Sequence, residues 1–220
     1  MPRLRFLKEG NAVWISHLDL MRVFQRSFRR GGILLRHSQG FTPRPYVSIA
    51  LPLPVGTASR CELLDFDLSE GDGTPLAEIP ARLNQTLPSG LTVLAAYEEG
   101  RKLRELALLE AELVLEYDQG VPPGAEKAVI SLIERTSLPV TKHTKRGVAE
   151  LDIRPMLRRL DARQTGEDEL RVVCCVSAQN PTLNPMLLAE AVRLYLPAYA
   201  PNFCKASRIE ILDASENPFR

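Results

Sequence analysis

Arg22, Arg26, Arg29 and Arg30 fall at i, i+4, i+7 and i+8, a spacing that lines one stripe of an α-helix. A guanidinium is a planar fork of donors matched to phosphate oxygens, so such a stripe suits a polyanion. The plainer alternative is the solvated face of a surface helix. The neighbourhood argues for a ligand. Residues 1–60 hold ten lysines and arginines against Glu9 and Asp19, whereas the whole chain carries a net charge of +1. A near-neutral protein with one strongly basic end has an electrostatic address for a polyanion. Arg36 and Arg44 extend the excess into the strand and loop after the helix.

That loop, Ser38–Pro45, has its own physics. Gly40 permits positive φ or close approach of a ligand to the backbone. Pro43 and Pro45 hold Thr42 and Arg44 extended, so Arg44 loses little freedom on meeting a partner. Phe41 reads either as a plug into the core, the commoner outcome, or as an exposed platform for a base. A second basic group, Lys142, Lys145 and Arg146 with His143 among them, sits at an expected hairpin tip. The candidate nucleic-acid contacts are therefore Arg22, Arg26, Arg29, Arg30, Arg36, Phe41, Arg44, Lys142, Lys145 and Arg146. His17 is the candidate acid–base group if the chain cleaves RNA. It reads otherwise as a helix-entry residue beside Ser16 and Asp19, because the sequence specifies no second catalytic group for it.

The elements that must position these residues alternate. Arg3–Ile15 reads as a strand, and Ser16 with Asp19 caps a helix from His17 to Arg30 that Gly31 and Gly32 stop. Leu34–His37 and Tyr46–Leu51 are extended, Glu62–Leu68 is a strand, Pro75–Leu87 a helix restarting at Pro80, and Leu91–Tyr97 a strand. A second set comes after it: strand Leu106–Tyr117, helix Ala125–Thr136, hairpin Val140–His143 and Val148–Asp152, short helix Arg154–Leu160, strand Leu170–Ser177, helix Pro185–Leu196 and strand Ala206–Leu212. The order β-α-β-β-α-β predicts an α+β protein of two tandem ferredoxin-like units packed in one compact body. Residues 1–100 form the first unit and 101–220 the second, with the boundary near Gly100–Glu105.

The stretches SHLDLMRVFQRSFRR and SQGFTPRPYVSIALPLPVG resemble the radical-SAM-linked family, whose members occur free or fused behind a B12-binding radical S-adenosylmethionine protein. The family loop reads Gly-Phe-Asn-Pro-His-Pro-Lys, and Thr42, Arg44 and Tyr46 stand here for its Asn, His and Lys. The resemblance implies a radical SAM partner protein and supplies a context, not a reaction. In outline the layout is also similar to RAMP-type RNA-processing proteins, by architecture alone.

No C-x-x-x-C-x-x-C, P-loop, G-x-G-x-x-G, H-E-x-x-H or G-x-S-x-G is present, which excludes the usual forms of the chemistries those motifs serve. Asp152 is the nearest counterpart of a pseudouridine synthase aspartate, and its setting does not match. Cys61, Cys174, Cys175 and Cys204 lack metal-ligand spacing and read as buried strand residues. No cofactor and no metal are expected. No apolar run spans a bilayer, and the N-terminus lacks a signal-peptide core, so a cytoplasmic protein is expected. The leading expectation is a non-catalytic RNA-binding or substrate-presenting module. The alternatives are a metal-independent, RAMP-like endoribonuclease and a subunit that binds only protein.

Overall fold

The computed structural model describes residues 1–98, 100–144 and 147–220, and is a mixed α/β structure with four α-helices among them. The chain divides into unit 1, Met1–Glu105 with Phe219–Arg220, and unit 2, Leu106–Pro218.

Unit 1 runs β1 (Arg3–Lys8), α1 (His17–Arg30), β2 (Val47–Ile49), β3 (Thr57–Phe66), α2 (Ile79–Asn84) and β4 (Leu91–Tyr97). Its strands lie in the order β4-β1-β3-β2, all neighbours antiparallel. β1 is shorter than the expected Arg3–Ile15 strand. Gly10 takes φ +53° and the chain coils into a 3-10 turn over Gly10–Trp14. The helices supply Leu20, Phe24, Phe28, Ile79 and Leu83 to a core completed by Leu4, Phe6, Leu64, Phe66, Leu91 and Val93 from the sheet. Phe6 meets Phe24 edge-on at 4.6 Å, and Phe28 meets Phe66 at 5.1 Å. Phe219 is fully buried, with the Arg3 and Arg101 guanidiniums 5.5 and 5.3 Å from its ring.

Unit 2 runs β5 (Leu106–Glu116), α3 (Ala125–Ser131), β6 (Pro139–Thr144), β7 (Gly147–Asp152), β8 (Leu157–Gln164), β9 (Glu169–Ser177), α4 (Met186–Tyr195) and β10 (Phe203–Asp213). Its main strands lie in the order β10-β5-β9-β8, again antiparallel throughout, while β6 and β7 pair with each other as a separate ribbon. Leaving that ribbon aside, each unit has the same sequence of elements and the same strand order.

The expected helix over Arg154–Leu160 is wrong. Only Arg154–Met156 turns, and Leu157 begins β8. Leu157 and Leu160 are both buried three residues apart, which mimics a helical period. The cause is an irregularity in the pairing with β9 between Leu157 and Arg159, where an extra residue breaks the alternation of a strand. The four cysteines are buried on strands and free. Burial pushes the Cys174 thiol up to about 12 and the Cys204 thiol up to about 11, so both are poor nucleophiles.

Asp152 has a structural task at the end of β7. Its carboxylate accepts from the Leu138 amide at 2.7 Å, the Arg154 amide at 3.0 Å and the Ser137 hydroxyl at 2.8 Å. These donors, the Leu138 amide foremost and then the Arg154 amide, hold the carboxyl below its usual value. A lowered value in the folded state stabilises fully above the ordinary carboxylate range, and the gain is lost as pH falls through the lowered value. Asp152→Asn should therefore flatten the acid limb of stability against pH while leaving the neutral region less stable. Urea midpoints of both proteins over an acid-to-neutral series test this. Parallel curves would contradict the role given to Asp152.

Candidate nucleic-acid interface

Helix α1 is amphipathic because its apolar residues recur at helical spacing. Leu20, Phe24, Ser27 and Phe28 are buried, while Arg22, Arg26, Arg29 and Arg30 are exposed. Ser16 caps the helix, its hydroxyl oxygen accepting from the Asp19 amide at 3.2 Å. The Asp19 carboxylate accepts from the Ser16 hydroxyl at 2.7 Å and from Arg22 Nη1 at 2.9 Å. The Ser16 bond first, then Arg22, holds the Asp19 carboxyl below its usual value, so it stays ionised. Among the described residues no carboxylate forms an ion pair with Arg26, Arg29, Arg30 or Arg44.

The helix ends in a Schellman turn that sets the course of the next segment. The Ile33 amide donates to the Phe28 carbonyl at 2.9 Å and the Gly32 amide to the Arg29 carbonyl at 3.3 Å. Gly32 sits at φ +69°, which a side chain would resist. The chain therefore doubles back under the arginines. The Leu34 amide then donates to the Asp72 carboxylate, which also accepts from the Thr74 amide at 2.9 Å.

The segment Arg36–Tyr46 is a tied loop. The Tyr46 amide donates to the Arg36 carbonyl, and the Ser38 amide to the Arg44 carbonyl, both at 2.9 Å. His37 and Pro45 form a bridge between them. The Arg44 amide donates to the Ser38 hydroxyl at 3.0 Å. Arg36 lies over the Tyr46 ring at 4.5 Å and donates through Nε to Asp67 at 2.6 Å. At the tip, Gly40 takes φ +123° and Phe41 is 109 % exposed. Phe41 is thus exposed and is not the core plug. A plug needs a loop folded inward, and the bridge at its base directs this one out.

These pieces enclose a cleft of about 590 Å³. Arg22, Gln25, Arg26 and Arg29 line it from the helix, Ile33, Leu34 and Leu35 from the returning chain, and His37 and Pro45 from the loop base, with Phe28 beneath. Three of the ten sequence candidates meet here. Arg30, Arg36, Phe41 and Arg44 do not line the cleft, although the last three belong to the loop whose base does. Lys142 lies on β6 in unit 2, and Lys145 and Arg146 fall outside the described residues.

His17 is half-buried, and its Nδ1 is buried without a hydrogen-bond partner. At roughly 100° per residue it lies about 120–180° around α1 from Arg29, Arg22 and Arg26, and it does not line the cleft. Of the polar residues lining the cleft, the sequence reading missed Gln25, and it gave His37 no weight as a lone histidine. Gln25 could have been found, since it stands three residues after Arg22 and one before Arg26. His37 Nδ1 lies 2.9 Å from the Leu35 carbonyl. A carbonyl only accepts, so Nδ1 carries the proton and a neutral ring leaves Nε2 as an acceptor.

No helix among the described residues is long and apolar enough to cross a membrane. No curated protein matches the chain. Among solved structures, a chain of a Cbf5–Nop10–Gar1 complex is similar at 10% identity and TM-score 0.49, over 96% of this chain and 48% of that one. A chain of the archaeal box H/ACA sRNP Nop10–Cbf5 complex is similar at 10% identity and TM-score 0.43, over 94% and 46%. The protein spans about half the length of those chains. The model of one family matches residues 2–185, and the protein belongs to that family, DUF2344, uncharacterised proteins conserved in bacteria.

Proposed function

We propose that unit 1 binds RNA through the arginine cleft and presents it to a partner enzyme without performing chemistry on it. The observation that carries this reading is the meeting of Arg22, Arg26 and Arg29 in one cleft where only Arg22 has a carboxylate partner among the described residues. Guanidiniums without counter-ions in a concave surface attract phosphate and release its counterions on binding. The radical SAM, B12-binding partner comes from the resemblance of the helix and loop motifs. The shared strand order supports reading both units as ferredoxin-like, a scaffold on which the cleft sits at the end of the first helix. Fluorescence anisotropy of labelled RNA in increasing salt tests the binding. Affinity should fall steeply with salt, and absent or salt-independent binding contradicts the proposal.

The cleaving alternative draws on one observation, the presence of His37 among the cleft's arginines. A histidine needs a second proton-transfer group within reach of the reacting atom. His17, on the other side of α1, does not line the cleft. Structured RNA incubated with the protein alone, without metal, should therefore remain intact. Site-specific cleavage that disappears in His37→Ala would replace the presenting role with a nuclease.

A further inference from the structure

We infer that the arginine cleft takes one unpaired nucleotide from a single strand, and that Phe41 stacks on a neighbouring base. The inference rests on the RNA-binding reading and narrows its substrate to unpaired RNA. A site built only for phosphates needs a charged surface. This one also has an apolar floor, exposed at Leu34 and half-buried at Pro45 with Ile33, Leu35 and Phe28 buried, and a volume in the range of pockets that enclose small molecules. A duplex keeps its base faces stacked inside and can offer the cleft only phosphates, 2′-hydroxyls and groove edges, not a base face. An unstacked base can lay its face on the floor while its phosphates meet Arg22, Arg26 and Arg29.

Two cleft side chains are equipped to read the edge of such a base. The Gln25 amide both donates and accepts, and the His37 ring, whose Nδ1 is engaged by the Leu35 carbonyl, offers its Nε2. The floor orients the base, and these two groups meet its polar atoms.

Phe41 is the independent observation. A fully exposed phenylalanine on a loop with a tied base is an apolar surface held out to water. Both ends of that loop, His37 and Pro45, line the cleft, so its tip rises from the cleft's rim four residues from each end. A base next to the inserted nucleotide offers the flat apolar face such a ring lacks, as in other single-strand sites where stacking is tolerant of sequence. Pro43, two residues after the ring, and the hydrogen bonds at the loop base limit the freedom lost on stacking.

The test uses the full chain and a labelled oligouridine of about a dozen nucleotides, within the footprint range of single-strand sites, alone or annealed to oligoadenosine. The single strand should bind about tenfold or more tightly than the duplex. Phe41→Ala should weaken the single strand about tenfold, the loss expected for one stacked base, and leave the duplex little changed. Equal affinity for the two forms, or unchanged single-strand binding by Phe41→Ala, overturns the inference. A triple variant with Arg22, Arg26 and Arg29 replaced by alanine separates the two levels. If it loses binding while Phe41→Ala does not, RNA binding stands and the unpaired-nucleotide site falls. If it binds as tightly as the wild type, the RNA-binding reading falls as well.

Discussion

Replacing Arg22, Arg26 and Arg29 together by alanine should lower RNA affinity about a hundredfold at low salt and flatten its salt dependence. Charge-assisted bonds to phosphate are among the stronger net contributions a surface can make, and three of them suffice for a loss of this order. The slope supplies the sharper test. Each phosphate neutralised on a single strand adds about 0.7 to the fall of log affinity with log salt, so removing three contacts should reduce the slope by about 2. The loss should be uniform across sequences, because phosphate contacts position the strand without reading it. The variant should fold. The three side chains are exposed, and the one ion pair removed, Arg22 with Asp19, is a solvated i,i+3 pair of little weight. Far-UV circular dichroism checks that point. Binding with wild-type affinity and slope would exclude this face of α1.

The elements legible in the sequence are those whose signals are local. Helix α1 was readable end to end because its cap, its 3.6-residue period and its stop all lie within Ser16–Gly32. The apolar run of β9 and the strand β5 were equally plain. β8 was not, because its irregularity against β9 sets Leu157 and Leu160 at helical spacing, and only the pairing partner reveals a strand. The extent of β1 was misjudged for a related reason. Apolar residues continue through Ala12, Val13 and Ile15, but Gly10 turns the chain before they can join the sheet.

The site divides the same way. The arginine stripe was visible as a pattern on one helix. Its partners His37 and Pro45 were not, since they reach the cleft only because the Gly32 turn and the Asp72 bond to Leu34 bring the chain back along α1. Arg36 looked equivalent to Arg44 in sequence. Asp67, thirty-one residues away, gives Arg36 a counter-ion, and Tyr46 gives it a ring. Charge counts along a chain cannot show such pairing.

Phe28 joins the cleft to the core, and Phe28→Ala should cost unit 1 about 3–5 kcal/mol. The side chain has no exposure and lies 5.1 Å from the Phe66 ring. Truncation leaves a cavity that the surrounding β-sheet and α1 cannot close without moving both. Against the 5–15 kcal/mol typical of a folded domain, a loss of about this size brings the unit close to unfolding. Urea denaturation followed by tryptophan fluorescence measures it, because the single tryptophan, Trp14, belongs to unit 1. The midpoint should fall with the slope unchanged, as expected when stability and not the exposed surface is altered. Phe28→Leu, which keeps most of the volume, should recover much of the difference, to within about 1.5 kcal/mol of the wild type. RNA binding should track the same order, falling in Phe28→Ala and returning in Phe28→Leu, although neither variant removes a charge. That dependence is expected because Phe28 both lines the cleft and packs on Phe66 of β3, so the same side chain serves the cleft and the contact of α1 with the sheet. A Phe28→Ala protein that unfolds within about 1 kcal/mol of the wild type would contradict the packing argument. One that stays folded and binds RNA unchanged would separate the cleft from the core beneath it.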